Sequence, residues 1–169
     1  MPCAIDFMQE EGACCALGME EMQSICDVVL AEEGVERTCL LSLSVVLDAS
    51  MRELNAQWRN IDRPTDVLSL ECERPDDPSL ADGEPCELGD VVLAPAYIAR
   101  QAQEYGTTEK DETRLLLIHG LLHLLGYDHL DDEEARVMEA REDELLEHVA
   151  TDARLSAIEF TRHSEEVLG

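Results

Sequence analysis

The run HGLLHLLGYDH, from His119 to His129, decides how this chain is built and what it can do. On a helix, His119 and His123 project from the same face one turn apart, close enough to share an ion. Gly126 takes a left-handed conformation without steric cost, so the helix can stop there and the chain can turn back to bring His129 to the same point. Three neutral imidazoles leave a fourth tetrahedral position for water or substrate, the arrangement of a catalytic zinc; a structural zinc would call for a fourth protein ligand that the motif does not supply. The expectation is one zinc ion per chain on His119, His123 and His129. Only five histidines occur in the chain, and three of them in this spacing around a glycine are poorly explained as ordinary core or surface residues. Nickel, cobalt or copper would also be accepted by such donors.

The spacing equals that of the metzincin proteases, HExxHxxGxxH, but Gly120 stands where those enzymes carry their glutamate base. Peptide hydrolysis thereby loses its proton acceptor, and a metalloprotease becomes the weaker reading. Asp128, just before the third histidine, either orients a ligand or simply forms the turn.

Upstream of the motif, Thr108 and the acids of TEKDE suit the start of the helix that carries it, with the acids at the positive end of the dipole. Downstream, Asp131 and Asp132 open an acidic amphipathic helix whose Val137, Met138, Leu145 and Leu146 are expected to face inward, followed by a helical tail over 151–169. Earlier in the chain, residues 18–33 have helical spacing and end near Gly34, and Cys39 to Leu47 reads as a largely buried strand. Ser50 to Arg59 is a helix with Met51, Leu54 and Trp58 on one side, and Thr65 to Leu70 a short strand after Pro64. Residues 71–87 form an exposed acidic loop, Leu88 to Leu93 a further strand, and Pro95 to Gly106 a helix with proline in its first turn and glycine at its end. Strands interleaved with helices predict one domain over residues 1–150, of α+β or α/β type, with a single mixed sheet.

The 39 acidic residues outnumber the 12 lysines and arginines and give a formal charge of −27, which opposes non-specific binding to polyanions. Any RNA must therefore meet a local positive site, and no broadly basic surface for DNA is expected. No signal-like or membrane-spanning apolar run is present, so a cytoplasmic protein without a membrane partner is expected. The seven cysteines show no C-x-x-C spacing and read as reduced core or surface thiols.

Positive charge gathers in MRELNAQWRNIDRPTDVLSLE, at Arg52, Arg59 and Arg63. A guanidinium fork binds phosphate oxygens in pairs and stays charged at any working pH, which makes Arg59 the preferred phosphate clamp; a solvated or salt-bridged arginine is the alternative. Asn55 is placed to hydrogen-bond near such a site, while Asp62, Thr65 and Asp66 suit the turn around Pro64.

Together with LGDVVLAP, these two blocks resemble the YbeY family of bacterial endoribonucleases, in the same order and over roughly residues 20–148. The resemblance implies an α+β domain with a mixed four-stranded sheet packed against several helices, and a metzincin-like three-histidine zinc site. It also implies single-strand-specific cleavage of RNA in maturation of the 16S rRNA 3' end and in ribosome quality control. His119, His123 and His129 match the family's metal ligands and Arg59 its active-site arginine. The partners so implied are single-stranded rRNA, the ribosome and ribosomal proteins. A non-catalytic assembly factor that binds basic ribosomal proteins is the competing reading from charge alone.

Overall fold

Alternating apolar positions and their turn signals yield nine elements in the computed structural model, which describes residues 3–151. In chain order they are β1 (Cys3–Gln9), α1 (Met19–Glu32), β2 (Cys39–Val45), α2 (Asp48–Arg59), β3 (Val67–Glu71), β4 (Cys86–Leu93), α3 (Pro95–Tyr105), α4 (Glu109–Leu124) and α5 (Asp132–Thr151). The fold is α+β with a mixed four-stranded sheet in the order β1-β2-β4-β3: β1, β2 and β4 run parallel, and β3 lies antiparallel to β4. The helical tail expected over 151–169 lies, from residue 152 on, outside the described residues. Among the described residues, no helix is long and apolar enough to cross a membrane.

The strand β1 was not among the elements expected from the sequence. Its apolar residues Ile5 and Phe7 turn toward the core while Asp6 and Met8 turn away, and every residue from Cys3 to Gln9 pairs in register with β2. One sheet face carries the main core, in which Ile25 and Val29 of α1, Leu41 and Leu43 of β2, Leu117 and Leu121 of α4 and Leu145 of α5 are fully or nearly fully buried. The other face is covered in part by α2, whose Met51 packs with Leu68, Val92 and Ala94. Trp58 does not join it: the indole is 57% exposed, while Met51 and Leu54 do face inward.

A bulge between Leu40 and Leu41 inserts Leu88 into β4. The next residue, Gly89, has φ +127°, and a Cβ there would lie 2.0 Å from the carbonyl oxygen of Leu70, so only glycine fits. The acidic segment after β3 is exposed but anchored. Leu80 is inserted into the core, and the Arg37 guanidinium donates to the carbonyls of Ala81 and Glu84.

Helix α4 is buried almost all round: its second half is apolar on every side, and its charged first half is buried through ion pairs. Thr108 caps it by accepting from the Asp111 amide at 3.1 Å. Its first-turn acids do more than meet the dipole: buried Arg114 donates to Asp111 at 2.9 Å and to Glu21 of α1 at 2.7 Å, and Thr107 donates to Glu112. This network fixes the rotation of α4, and with it the direction in which His119 and His123 point.

Candidate metal centre

Helix α4 ends at Leu124, and Gly126 reverses the chain at φ +107°. One ring nitrogen from each of His119, His123 and His129 lies within 4.8 Å of the other two, a donor set that could hold a metal ion. The rings of His119 and His129 stack at 5.6 Å, and that of His123 stands edge-on to both. The three residues expected from the sequence to converge do so.

Their hydrogen bonds decide which nitrogens face inward. Nδ1 of His123 lies 3.0 Å from the carbonyl oxygen of Tyr127, which can only accept, so Nδ1 carries the proton. Nδ1 of His119 lies 2.6 Å from Oε2 of Glu142, a buried carboxylate of α5. The Nε2 atoms of these two histidines lie 3.1 Å apart, so both rings turn the same nitrogen toward one point. Burial drives the protonation of His123 down to about pKa 4, helped by the neighbouring His119 and His129 and opposed by the Tyr127 carbonyl and Asp128. His123 is thus neutral at physiological pH, the state in which imidazole binds a metal.

Asp128 forms the turn: its Oδ1 accepts from the His129 backbone amide at 2.8 Å. Glu142 was not singled out from the sequence. The signal that could have found it is a glutamate on the inward row of α5, among Met138, Leu145 and Val149, all buried. Val137, expected on that row, is 56% exposed instead.

The histidines line a cleft of about 770 Å³ together with Asn55, Arg59, Ile61, the segment 63–69, Glu71 and Tyr97. Arg59 and Arg63 line it and form no ion pair among the described residues. Arg52 does not belong to this group; Asp62 holds its fork at 2.8 and 3.1 Å, so Asp62 serves that ion pair rather than the turn. The turn is made by Asp66, which accepts from the Val67 amide and the Thr65 hydroxyl. Asn55 is 1% exposed; its amide donates to the Arg63 carbonyl at 2.8 Å, which ties that stretch of the cleft lining to α2.

Gly120 packs against the sheet. A Cβ at this position would meet Ser69 Oγ at 3.1 Å and Val91 Cγ1 at 3.2 Å, and the Ser69 hydroxyl donates to the Gly120 carbonyl. A glutamate here would be forced against two strands. Gly120→Glu, which restores the protease spacing, is expected to lower unfolding free energy by about 1–3 kcal/mol in urea titration and to confer no casein cleavage. Peptidase activity in that variant would show that position 120 reaches the cleft after all.

A three-imidazole donor set that could hold a metal ion, lining one cleft with Arg59 and Arg63, is thus built into a small α+β protein. A sequence profile described as endoribonuclease YbeY matches residues 8–150, and on that span the chain belongs to the endoribonuclease YbeY family. Curated relatives bearing that same description include one from Moorella thermoacetica, 40% identical over 86% of this chain and 96% of its own length. Another, from Gloeobacter violaceus, is 39% identical over 88% of this chain and 77% of its own, and a third, from Paramagnetospirillum magneticum, is 46% identical over 67% and 70%. A solution structure of a Thermotoga maritima protein is similar with a TM-score of 0.57, at 26% identity over 87% of this chain and 89% of that one.

Proposed function

We propose that the protein is a zinc-dependent endoribonuclease that cuts single-stranded RNA, acting in the cytoplasm on the 3' end of 16S rRNA during ribosome maturation and quality control. The observation that carries this is the cleft itself, which gathers three histidines and two arginines that form no ion pair among the described residues, beside Asp66 and Glu71, in a chain of net charge −27. With a divalent ion on the histidines, the ion and the two arginines would outweigh the two carboxylates and favour a phosphate group there, while the remaining surface repels the rest of a folded RNA.

His119, His123 and His129 would hold the zinc, whose double positive charge supplies polarisation of a phosphoryl oxygen. Arg59 lines the same cleft and binds the phosphate through its planar fork, stabilising the negative charge that develops as the phosphodiester is cut. Arg63 holds the adjoining phosphate. Ile61, Pro64, Val67 and Tyr97 give the cleft apolar and aromatic walls for an unstacked base. A volume of about 770 Å³ falls in the range of small-ligand sites, roughly 300–1,000 Å³, enough to receive an unpaired nucleotide. An exposed strand end on a ribosomal particle meets this requirement, and basic ribosomal proteins can offset the repulsion between the acidic surface and bulk rRNA.

The test is cleavage of one labelled RNA, single-stranded and annealed to its complement, by the protein before and after chelator treatment. The expected result is cutting of the single strand alone, loss of cutting after chelation, and recovery with about one equivalent of zinc. Undiminished cleavage by stripped protein would overturn the metal requirement. Full metal content without cleavage of naked RNA, together with salt-sensitive binding to a ribosomal protein, would favour the assembly-factor reading.

A further inference from the structure

An ionisable side chain on the buried row of an amphipathic helix is costly unless it is paired, because desolvation disfavours its charge. Glu142 occupies such a position on α5: it is 1% exposed, lies between Met138 and Leu145, and places Oε2 2.6 Å from Nδ1 of His119. The same helix walls the small crevice behind His119 and His129 with Ala135 and Met138. It is docked elsewhere by Arg141, which donates to Glu33 and to the Glu32 carbonyl of α1.

We infer that Glu142 is the positioning residue of the metal centre: its carboxylate takes the Nδ1 proton of His119 as a hydrogen bond, fixes Nε2 as the ligand atom, and makes α5 part of the site. The inference rests on the three-histidine metal reading above. The three ligands are not held alike. His123 has a backbone carbonyl to hold its ring, which no side-chain substitution removes. His129 stands on the exposed turn after Gly126. Among the described residues, His119 alone of the three is hydrogen-bonded to a side chain from another helix, 23 residues further along the chain. A carboxylate in this place also makes the imidazole a stronger donor to a cation, because partial transfer of the Nδ1 proton leaves more electron density on Nε2.

The experiment uses the full chain and zinc as the probe, with affinity read by competition against a chromophoric chelator and ligand geometry by the visible spectrum of the cobalt-loaded protein. Glu142→Ala is expected to bind zinc about 10- to 100-fold more weakly, with an altered cobalt spectrum. Glu142→Gln keeps the shape and one acceptor oxygen, and is expected to fall between Glu142→Ala and the wild type. Leu145→Ala removes a fully buried side chain from the same face of α5. It should lower the melting temperature yet leave zinc affinity unchanged, which separates positioning from packing. Equal zinc affinity in Glu142→Ala and the wild type would overturn the inference, as would an equal loss in Leu145→Ala. Because the readout is metal affinity, a wild type that binds zinc but cuts no RNA would sink the nuclease reading and leave this test intact. A wild type that binds no zinc would sink both.

Discussion

Replacing His123 with alanine is expected to remove metal and RNA cleavage together, the largest single effect predicted for this protein. His123 is the middle ligand: it is one turn from His119 on α4, its ring is edge-on to both other imidazoles, and burial keeps it neutral down to about pH 4. A His119/His129 pair would remain, with stacked rings and no third donor. Since a catalytic ion contributes several kcal/mol at the transition state, cleavage should fall about a thousandfold or more. Metal content by elemental analysis should fall from one ion per chain toward none. His148→Ala is the control, because His148 lies on α5, pairs with Glu32 and is remote from the cluster. Retention of a full complement of metal in His123→Ala would remove this residue from the ligand set.

The second large effect is confined to rate. Arg59→Ala should keep the metal and lose about 100- to 1,000-fold in kcat, equivalent to the loss of one well-placed group that stabilises a developing negative charge, about 2.7–4 kcal/mol. The expectation depends on Arg59 lying in the cleft without a carboxylate partner, so that its charge is available to substrate. Lysine in its place should restore activity only in part, because a point charge cannot bind two oxygens side by side. Arg52→Ala discriminates between local charge and a specific clamp. Its guanidinium is held by Asp62 at the surface, and its loss should change kcat little. Similar losses in the Arg52 and Arg59 variants would mean that only general positive charge matters here.

The residues that could be read in advance are those whose geometry is set within one element. His119 and His123 are neighbours on any helix, Gly126 and Gly106 stop helices by a backbone conformation that they adopt freely, and Thr108 caps the residue three places on. The cysteines, read as reduced thiols, are free, with Cys3, Cys26, Cys39 and Cys86 in the core and Cys14 and Cys72 exposed. Features that depend on distant chain segments were hidden. Glu142 looks like one more acid in an acidic helix until α5 is laid beside α4, and the Arg52–Asp62 pair forms only when the chain after α2 folds back. The strand β1 mixes Asp6 and Gln9 with its apolar residues, so its pairing with β2 defines it better than its composition. Trp58 and Val137 fit helical spacing but sit at the margins of their apolar faces, where neighbouring elements, and not periodicity, determine burial.

The order in which the sheet and α4 are assembled has a consequence for synthesis. The strand β4 lies between β2 and β3, and α4 fills the space beneath the sheet with side chains buried on nearly every face. Neither can be supplied by the part of the chain made first, so the N-terminal strands have no completed core to fold onto as they leave the ribosome. Contacts so distant in sequence form late, and here the segment that closes the core is also the one bearing His119 and His123. Folding and the acquisition of cutting ability are therefore one event, and a half-made chain emerging beside ribosomal RNA carries no assembled blade.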